Sequence, residues 1–237
     1  MLEILYRDEH LIAVNKPSGL LVHRSMIDKT ETEFALQLVR DQIGQYVYPL
    51  HRLDKPTSGV LVFALSKEVA HTMNQQFQAH RSSKEYLAVV RGYIATKGRI
   101  DYPLKEQLDK MTDAKARQNK AAQEAVTEFV RMATVALPYP VSRYKSARYS
   151  LVRLFPKTGR KHQLRRHMKH LMHPIVGDTT HGRGEHNKLF REKFGVHRLL
   201  LHASAMSFTH PKTHEHIRIE ASLDEVFQTL LKHLGWE

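Results

Sequence analysis

The chain has 237 residues, of which 41% are hydrophobic and 26% are charged, as expected for a folded protein of one large domain or two small ones. It contains no cysteine, which excludes disulfides, a thiol nucleophile and cysteine-ligated metal clusters. Its 37 Lys and Arg against 24 Asp and Glu give a net charge of +13, which favours a polyanionic partner.

The sequence also predicts a soluble, cytoplasmic protein. The N-terminus lacks the basic and apolar segments of a secretory signal. The longest apolar run, residues 60–65, is far shorter than the ~20 residues of a transmembrane helix. The absence of cysteine fits a reducing compartment.

Short apolar runs alternate with amphipathic stretches along the first ninety residues. This alternation predicts strands at residues 3–6, 11–14, 20–23, 59–65 and 84–90. Thr32 and Ser66 are the predicted N-caps of two helices between these strands, the first ending at Gly44 and the second near His80.

The second half of the chain has the same mixed character. Further strands are predicted at residues 126–135, 148–155, 201–208 and 216–219, with helices between Thr158 and Pro174 and over 223–234. The polar segment 104–125 is a predicted exposed insertion, and the charged segment 182–196 a predicted surface loop. We therefore expect an α+β protein with one large mixed, mostly antiparallel sheet, flanked by helices and loops.

Most of the positive charge lies in one stretch. Residues 129–177 contain eleven Lys or Arg and no Asp or Glu. Such a stretch is either a solvated basic face or a surface for nucleic acid, and the pattern alone leaves both open. The stretch also contains His162, His167, His170 and His173, but without a neighbouring acid we expect no metal site there.

Three separated motifs contain residues suited to chemistry. The H-R-L-D motif at 51–54 places Asp54 in a loop just before a buried strand. The strand at 84–90 presents Tyr86 on one face, where its ring could stack on a base. Arg165 adjoins the apolar stripe of a basic helix, where a guanidinium needs a carboxylate such as Asp54. Taken singly, these residues also fit a turn aspartate, a core tyrosine and a surface helix.

Together and in this order, the motifs resemble those of the RluA-type pseudouridine synthases, whose signature loop is H-R-L-D-x-x-T-S-G. Further similar stretches lie at residues 15–20, 84–92, 158–165, 174–178 and 201–203. The resemblance implies a pseudouridine synthase fold with a central catalytic cleft, and conversion of uridine to pseudouridine in RNA with no cofactor and no metal. It also implies a single catalytic domain over residues 1–237, without the N-terminal S4 domain that many relatives carry.

The resemblance implies roles for individual residues. Asp54 would be the catalytic carboxylate, acting either as a nucleophile or by removing a sugar proton. Arg165 would favour its charged form, and Tyr86 would stack on the target uracil, with its hydroxyl as a possible proton acceptor. The residues expected to bind RNA are His51, Arg52, Arg160, Lys161, His162, Arg166 and Leu201. Among them, Arg52 would fill the stack that the flipped base vacates, and Leu201 would pack beneath the ring.

The resemblance also suggests an RNA partner. The run at 156–167 and the polar segment at 106–118 are most similar to short members of the family that modify uridine 65 of tRNA. A ribosomal RNA is the nearest alternative substrate, and a non-catalytic basic RNA-binding protein is a remote one. A histidine-ligated metallohydrolase would reveal itself by inactivation in chelator. We expect tRNA as the partner, with no membrane and no obligate protein partner.

Overall fold

A computed structural model describes residues 1–23, 32–106 and 121–236 of the chain. Within these ranges the strands are β1 (Glu3–Arg7), β2 (Leu11–Lys16), β3 (Tyr48–Pro49), β4 (Ser58–Ala64), β5 (Ser82–Arg91), β6 (Lys97–Asp101), β7 (Val126–Leu137), β8 (Ala147–Pro156), β9 (Leu201–Thr209) and β10 (His216–Glu220). The helices are α1 (Ala35–Ile43), α2 (Lys67–Gln78), α3 (Gln163–His170), α4 (Gly184–Phe194) and α5 (Glu225–His233).

All of these strands belong to one sheet. Eight of them follow the order β1-β2-β4-β9-β5-β8-β7-β6, while β10 pairs with β9 and β3 pairs with β4. Among the described strands, every pairing is antiparallel except that of β4 with β9. The predicted α+β class, with a mixed and mostly antiparallel sheet, is therefore confirmed.

The pairing of β4 with β9 is short and depends on a glycine. It consists of only two residue pairs, Ser58 with His202 and Gly59 with Ala203. Gly59 has a φ of +113°, and a Cβ at this position would overlap the backbone of Ala203. The two strands can approach here because residue 59 has no side chain, and this junction lies directly after the H-R-L-D loop.

Strand β4 forms the centre of the N-terminal part of the sheet. All seven of its residues are buried, in agreement with the apolar run that predicts it. Helix α2 follows, and the Ser66 hydroxyl caps it by accepting a hydrogen bond from the Val69 N–H at 3.2 Å. Both predictions from this part of the sequence are confirmed.

The start of α1 differs from the prediction. Its N-cap is Phe34 and not Thr32, and no side chain caps it. The N–H groups of Ala35 and Leu36 donate instead to the carbonyls of Leu21 and Val22, which satisfies helix donors that a side-chain cap would otherwise serve. Residues 20–23 therefore do not form the predicted strand. They contact the start of α1 through these two carbonyls and through an isolated β-bridge between Leu21 and Phe34.

Two helices in the second half also differ from prediction. Helix α3 has His162 as its N-cap residue, because the Thr158 hydroxyl is engaged with the Val126 N–H and the Gln163 side chain. The segment predicted as a surface loop contains α4, whose Leu189 and Phe190 are buried in the core. Its many charged residues lie on the exposed side of the helix and hide the apolar pattern in the sequence.

The predicted insertion at 104–125 is anchored at both ends. Leu104 and Gln123 exchange two backbone hydrogen bonds, and Leu104 and Ala125 are buried. These ends therefore belong to the fold, whereas residues 107–120 lie outside the described residues. In the part of the chain that the structure describes, no helix is both long and apolar enough to cross a membrane.

Candidate active site

A buried lysine, Lys16, holds the loop that carries Asp54 in position. The Lys16 ammonium is inaccessible to solvent and donates hydrogen bonds to the carbonyls of Pro17 (2.9 Å), Leu20 (2.7 Å) and Lys55 (3.1 Å). Burial lowers the pKa of Lys16 to about 7. The lysine joins two loops, 17–20 and 51–57, and thereby fixes the backbone next to Asp54.

Arg165 on α3 lies between two carboxylates. Its Nη1 is 3.2 Å from Oδ2 of Asp54, while its Nε and Nη2 each lie 2.8 Å from one carboxylate oxygen of Asp178. The Arg165 side chain is 5% exposed, that of Asp178 is 0% exposed and that of Asp54 is 28% exposed. The buried carboxylate orients the guanidinium in a two-point contact, and the remaining nitrogen faces the accessible carboxylate.

The partner of Arg165 is only partly the predicted one. Asp54 does contact Arg165, but Asp178 makes the closer, two-point contact, and sequence reasoning missed it. Burial acts to lower the pKa of Arg165, yet the two carboxylates outweigh it and raise that pKa above its usual value. Burial likewise acts to raise the pKa of Asp178, and the hydrogen bonds from Arg165 and from the His181 and Thr180 N–H groups outweigh it, so that pKa lies below its usual value. A permanent positive charge therefore lies beside Asp54.

Tyr86 approaches the same site from β5. It lies opposite Leu154 of β8 and Ala203 of β9, and it packs against the cluster that contains Leu201. Burial, followed by the negative charge of Asp54, raises the pKa of the Tyr86 hydroxyl well above its usual value. The hydroxyl consequently remains protonated at neutral pH.

The space directly behind Tyr86 is too small for a base. A cavity of about 10 Å³ lies there, lined by His51, Val60, Lys84, Tyr86, Ala203, Ala205 and Met206. A cavity of this size holds at most one water molecule. A pyrimidine ring that stacks on Tyr86 therefore cannot occupy this cavity.

His162 is the third group close to Asp54. Its Nε2 is 3.9 Å from Oδ2 of Asp54, and its Nδ1 is 3.0 Å from Nε2 of His181. Its backbone has a φ of 55°, in the left-handed region that is uncommon for residues other than glycine. Burial, which outweighs the opposing effect of Asp54, lowers the pKa of His162 to about 4, so the ring is neutral at pH 7.

Apart from His162, the residues expected to bind RNA fall into two groups. Arg52, Arg160 and Lys161 are exposed and Arg166 is partly exposed, on the loops and the helix around Asp54. His51 and Leu201 face the interior instead. The Nε2 of His51 accepts a hydrogen bond from the Val62 N–H at 3.2 Å, and Leu201 is 3% exposed.

Two other histidines of the basic stretch are bonded to the protein itself. The ring of His167 bridges the Thr127 hydroxyl (2.9 Å) and the Tyr102 carbonyl (3.1 Å), and Nδ1 of His173 contacts the Arg91 carbonyl at 2.7 Å. Across residues 1–23, 32–106 and 121–236, no three His, Asp or Glu side chains are grouped so that they could hold a metal ion. These two histidines support the fold around α3.

Comparison with known proteins gives three concordant results. A family model described as RNA pseudouridylate synthase matches residues 10–170. The chain is 59% identical over 237 residues to tRNA pseudouridine synthase C of Vibrio cholerae serotype O1, covering 100% of this chain and 97% of the relative. It is 60% identical over 235 residues to tRNA pseudouridine synthase C of Haemophilus ducreyi, covering 99% and 96%. Among solved structures, human RNA Pseudouridylate Synthase Domain Containing 4 superposes with a TM-score of 0.72 at 26% identity, covering 98% of this chain and 93% of that one.

Proposed function

The chain belongs to the RNA pseudouridylate synthase family, and we propose that it converts uridine to pseudouridine in tRNA, at position 65. The contact between Asp54 and Arg165 is the observation that carries this proposal. It pairs an accessible carboxylate with a cation that a buried acid fixes in place. The names of the relatives from Vibrio cholerae and Haemophilus ducreyi support tRNA as the substrate class.

The reaction breaks the bond between C1′ of the ribose and N1 of uracil, and then joins C1′ to C5 of the same ring. Asp54 assists the first step, either by attacking the sugar or by removing a sugar proton. Arg165 stabilises the carboxylate charge and fixes its direction, since its own position is set by Asp178. These groups are in place before the substrate binds, which lowers the cost of reorganisation in the transition state.

Tyr86 supports the detached base from the other side. Its ring packs against the cluster that contains Leu201, and we assign its remaining face to stacking on the uracil. Because burial keeps the hydroxyl protonated, we assign it as a hydrogen-bond donor to the negative charge that develops on the leaving uracil.

Replacing Tyr86 with phenylalanine tests this hydrogen bond. We expect Tyr86→Phe to lower the single-turnover rate by about 100-fold, the usual effect of losing one donor to a developing negative charge. The affinity for tRNA should stay the same, because the ring that stacks is retained. Rapid-quench measurement of pseudouridine, with filter binding of tRNA, gives both values.

A matched control is Tyr46→Phe, since Tyr46 is an exposed tyrosine that contacts Tyr48. This control should have the wild-type rate. A Tyr86→Phe variant with full activity would show that the ring alone matters and would refute the role of the hydroxyl.

The basic surface around the site is proposed to bind the tRNA backbone. The exposed or partly exposed cations Arg52, Arg160, Lys161 and Arg166 would contact phosphates and adjacent sugars. A base in a duplex must be flipped out to reach Asp54, and the side chain of Arg52 would occupy the gap that it leaves. Since tRNA is the proposed substrate, we also propose that the protein acts in the cytoplasm.

The direct test uses the purified protein and an unmodified tRNA transcript. Chemical labelling of pseudouridine and primer extension should show one new pseudouridine, at position 65. A transcript with cytidine at position 65 should give none. Modification of a ribosomal RNA transcript, and not of the tRNA, would replace the proposed substrate with the alternative one.

A further inference from the structure

We propose that the protein binds its tRNA at a second surface, formed by the exposed side chains of Tyr93, Arg143, Tyr144 and Arg148. This distal surface lies beyond the C-terminal end of α3, whereas Asp54 lies beside its N-terminal end. The inference rests on the proposed function and adds to it a contact with tRNA away from the target uridine. The reaction itself gives these four residues no task.

The two tyrosines of the distal surface are each paired with an arginine. The Arg148 guanidinium lies over the ring of Tyr93, 5.5 Å from its centroid, and Arg143 lies over Tyr144 at 5.2 Å. Arg143 also donates a hydrogen bond to the Tyr144 hydroxyl at 3.1 Å. That hydrogen bond and the charge of Arg143 are the main causes that lower the pKa of Tyr144. The positive charges of Arg91 and Arg148 lower it further, so the two pairs are neighbours.

The backbone that carries the two tyrosines is held in place. The buried hydroxyl of Ser150 is hydrogen-bonded to the backbone on both sides of Tyr93, at 2.7 and 3.3 Å. Val141 and Tyr144 exchange two backbone hydrogen bonds, at 3.0 and 3.1 Å, which close a tight turn. A surface whose backbone is already ordered loses less conformational entropy when a partner binds.

The arginines of the distal surface lack acidic partners. Residues 86–100 and 129–177, which include all four side chains, contain no Asp or Glu. Within the described part of the chain, neither Arg143 nor Arg148 forms an ion pair with a carboxylate. Unpaired arginines attract phosphates, and exposed aromatic rings stack on bases. The combination matches the chemistry of RNA.

The distal surface lies on the face of the sheet that α3 covers. Successive side chains of β8 point to opposite faces. Val152 and Leu154 pack in one cluster with Leu164 and Met168 of α3. Arg148 is separated from Val152 by an even number of residues in the same strand, so it points to the same face.

Helix α3 connects the active site to the distal surface. Its N-cap residue, His162, is 3.9 Å from Asp54, and just beyond its C-terminal end His173 contacts the Arg91 carbonyl at 2.7 Å. The eight residues of the helix span about 12 Å. Its exposed or partly exposed polar side chains are Arg166, Lys169 and His170. Because this basic side continues the surface proposed to bind the tRNA backbone, the geometry favours RNA over an acidic protein as the partner.

The salt dependence of tRNA binding tests the phosphate contacts. In the double variant Arg143→Gln/Arg148→Gln, the slope of log affinity against log salt concentration should be smaller than in the wild type by about 2, because each lost phosphate contact removes about one unit. Filter binding over a series of salt concentrations gives the slope. Lys232→Gln is the matched control, since it removes an exposed charge from α5, whose core contacts are with the opposite face of the sheet. It should keep the wild-type slope.

Replacing the tyrosines tests stacking on the RNA. Tyr93→Leu and Tyr144→Leu should each weaken tRNA binding by about 10-fold, because a ring that stacks on a base is lost. Tyr46→Leu, which removes another exposed tyrosine, should bind as the wild type does. The single-turnover rate at saturating enzyme should stay at the wild-type value in Tyr93→Leu and Tyr144→Leu, since neither side chain contacts the reacting atoms. Thermal unfolding should also match the wild type, because the substituted side chains are exposed.

The outcomes separate this proposal from the proposed function. Wild-type affinity and wild-type salt slope in the arginine and tyrosine variants would overturn the distal surface as an RNA contact and would leave an acidic protein as its partner. A slower saturated rate with unchanged affinity would overturn it as well. Pseudouridine formation by the wild-type protein in the same assay shows independently whether the proposed function holds.

Discussion

Asp54→Asn should abolish pseudouridine formation while tRNA binding persists. We expect the single-turnover rate to fall by about 10⁴-fold, at the upper end for a group that acts directly on the reacting atoms. Asparagine has nearly the same shape as aspartate, but it has no negative charge, so it can neither attack the sugar nor remove a sugar proton. The affinity for tRNA should be equal or higher, because a negative charge is removed from a basic surface.

Rapid-quench assays and filter binding with the same tRNA transcript give the two values. Asp41→Asn is the matched control, because Asp41 is an exposed aspartate that also pairs with an arginine, Arg40. It should have the wild-type rate. An active Asp54→Asn protein would exclude Asp54 as the catalytic carboxylate, and the proposed function would lose the main observation that supports it.

Asp178→Asn should have the largest effect on stability. The substitution leaves the guanidinium of Arg165 buried without its two-point partner, and removal of one member of a buried ion pair costs about 3–5 kcal/mol. Turnover by the folded fraction should fall as well, since Asp178 sets the direction in which Arg165 meets Asp54. Urea denaturation and single-turnover assays of the folded protein measure the two effects.

The pH dependence of this stability difference has a definite sign. The pKa of Asp178 is lower in the folded protein than in the unfolded chain, so its contribution is complete above about pH 4 and is lost as the pH falls through the folded-state value. The difference between wild type and Asp178→Asn should therefore shrink at acid pH. Glu220→Gln, which breaks an exposed pair with Arg218, should cost at most about 1 kcal/mol. Equal losses in the two variants would contradict the structural role of Asp178.

The core of the candidate site could be predicted because its signals are local. The H-R-L-D motif, the strand with Tyr86 and the helix with Arg165 each have a recognisable pattern within about ten residues. Those patterns place each residue on a loop, a strand or a helix, and the need of a semi-buried arginine for a carboxylate suggests the contact with Asp54. The structure brings Arg165 and Asp54 to 3.2 Å.

The parts that escaped prediction depend on contacts between distant segments. Asp178 follows Arg165 by thirteen residues, beyond the end of α3, and no helical or strand period links the two. The cap of α1 is supplied by the carbonyls of Leu21 and Val22, which leave no side-chain signal. Helix α4 is stabilised by burial of Leu189 and Phe190 against the rest of the core, and its own charge-rich sequence predicts a loop.

The short parallel pairing of β4 with β9 joins the two halves of the sheet next to the catalytic centre. Asp54 precedes β4 on one side of it, whereas Tyr86 and Arg165 belong to elements on the other. The distance between the Asp54 carboxylate and the Arg165 guanidinium therefore depends on how the two halves of the sheet are aligned at this junction. Because a side chain at position 59 would overlap the backbone of Ala203, a bulkier residue there would separate the two halves of the sheet and slow catalysis by displacing Arg165 from Asp54.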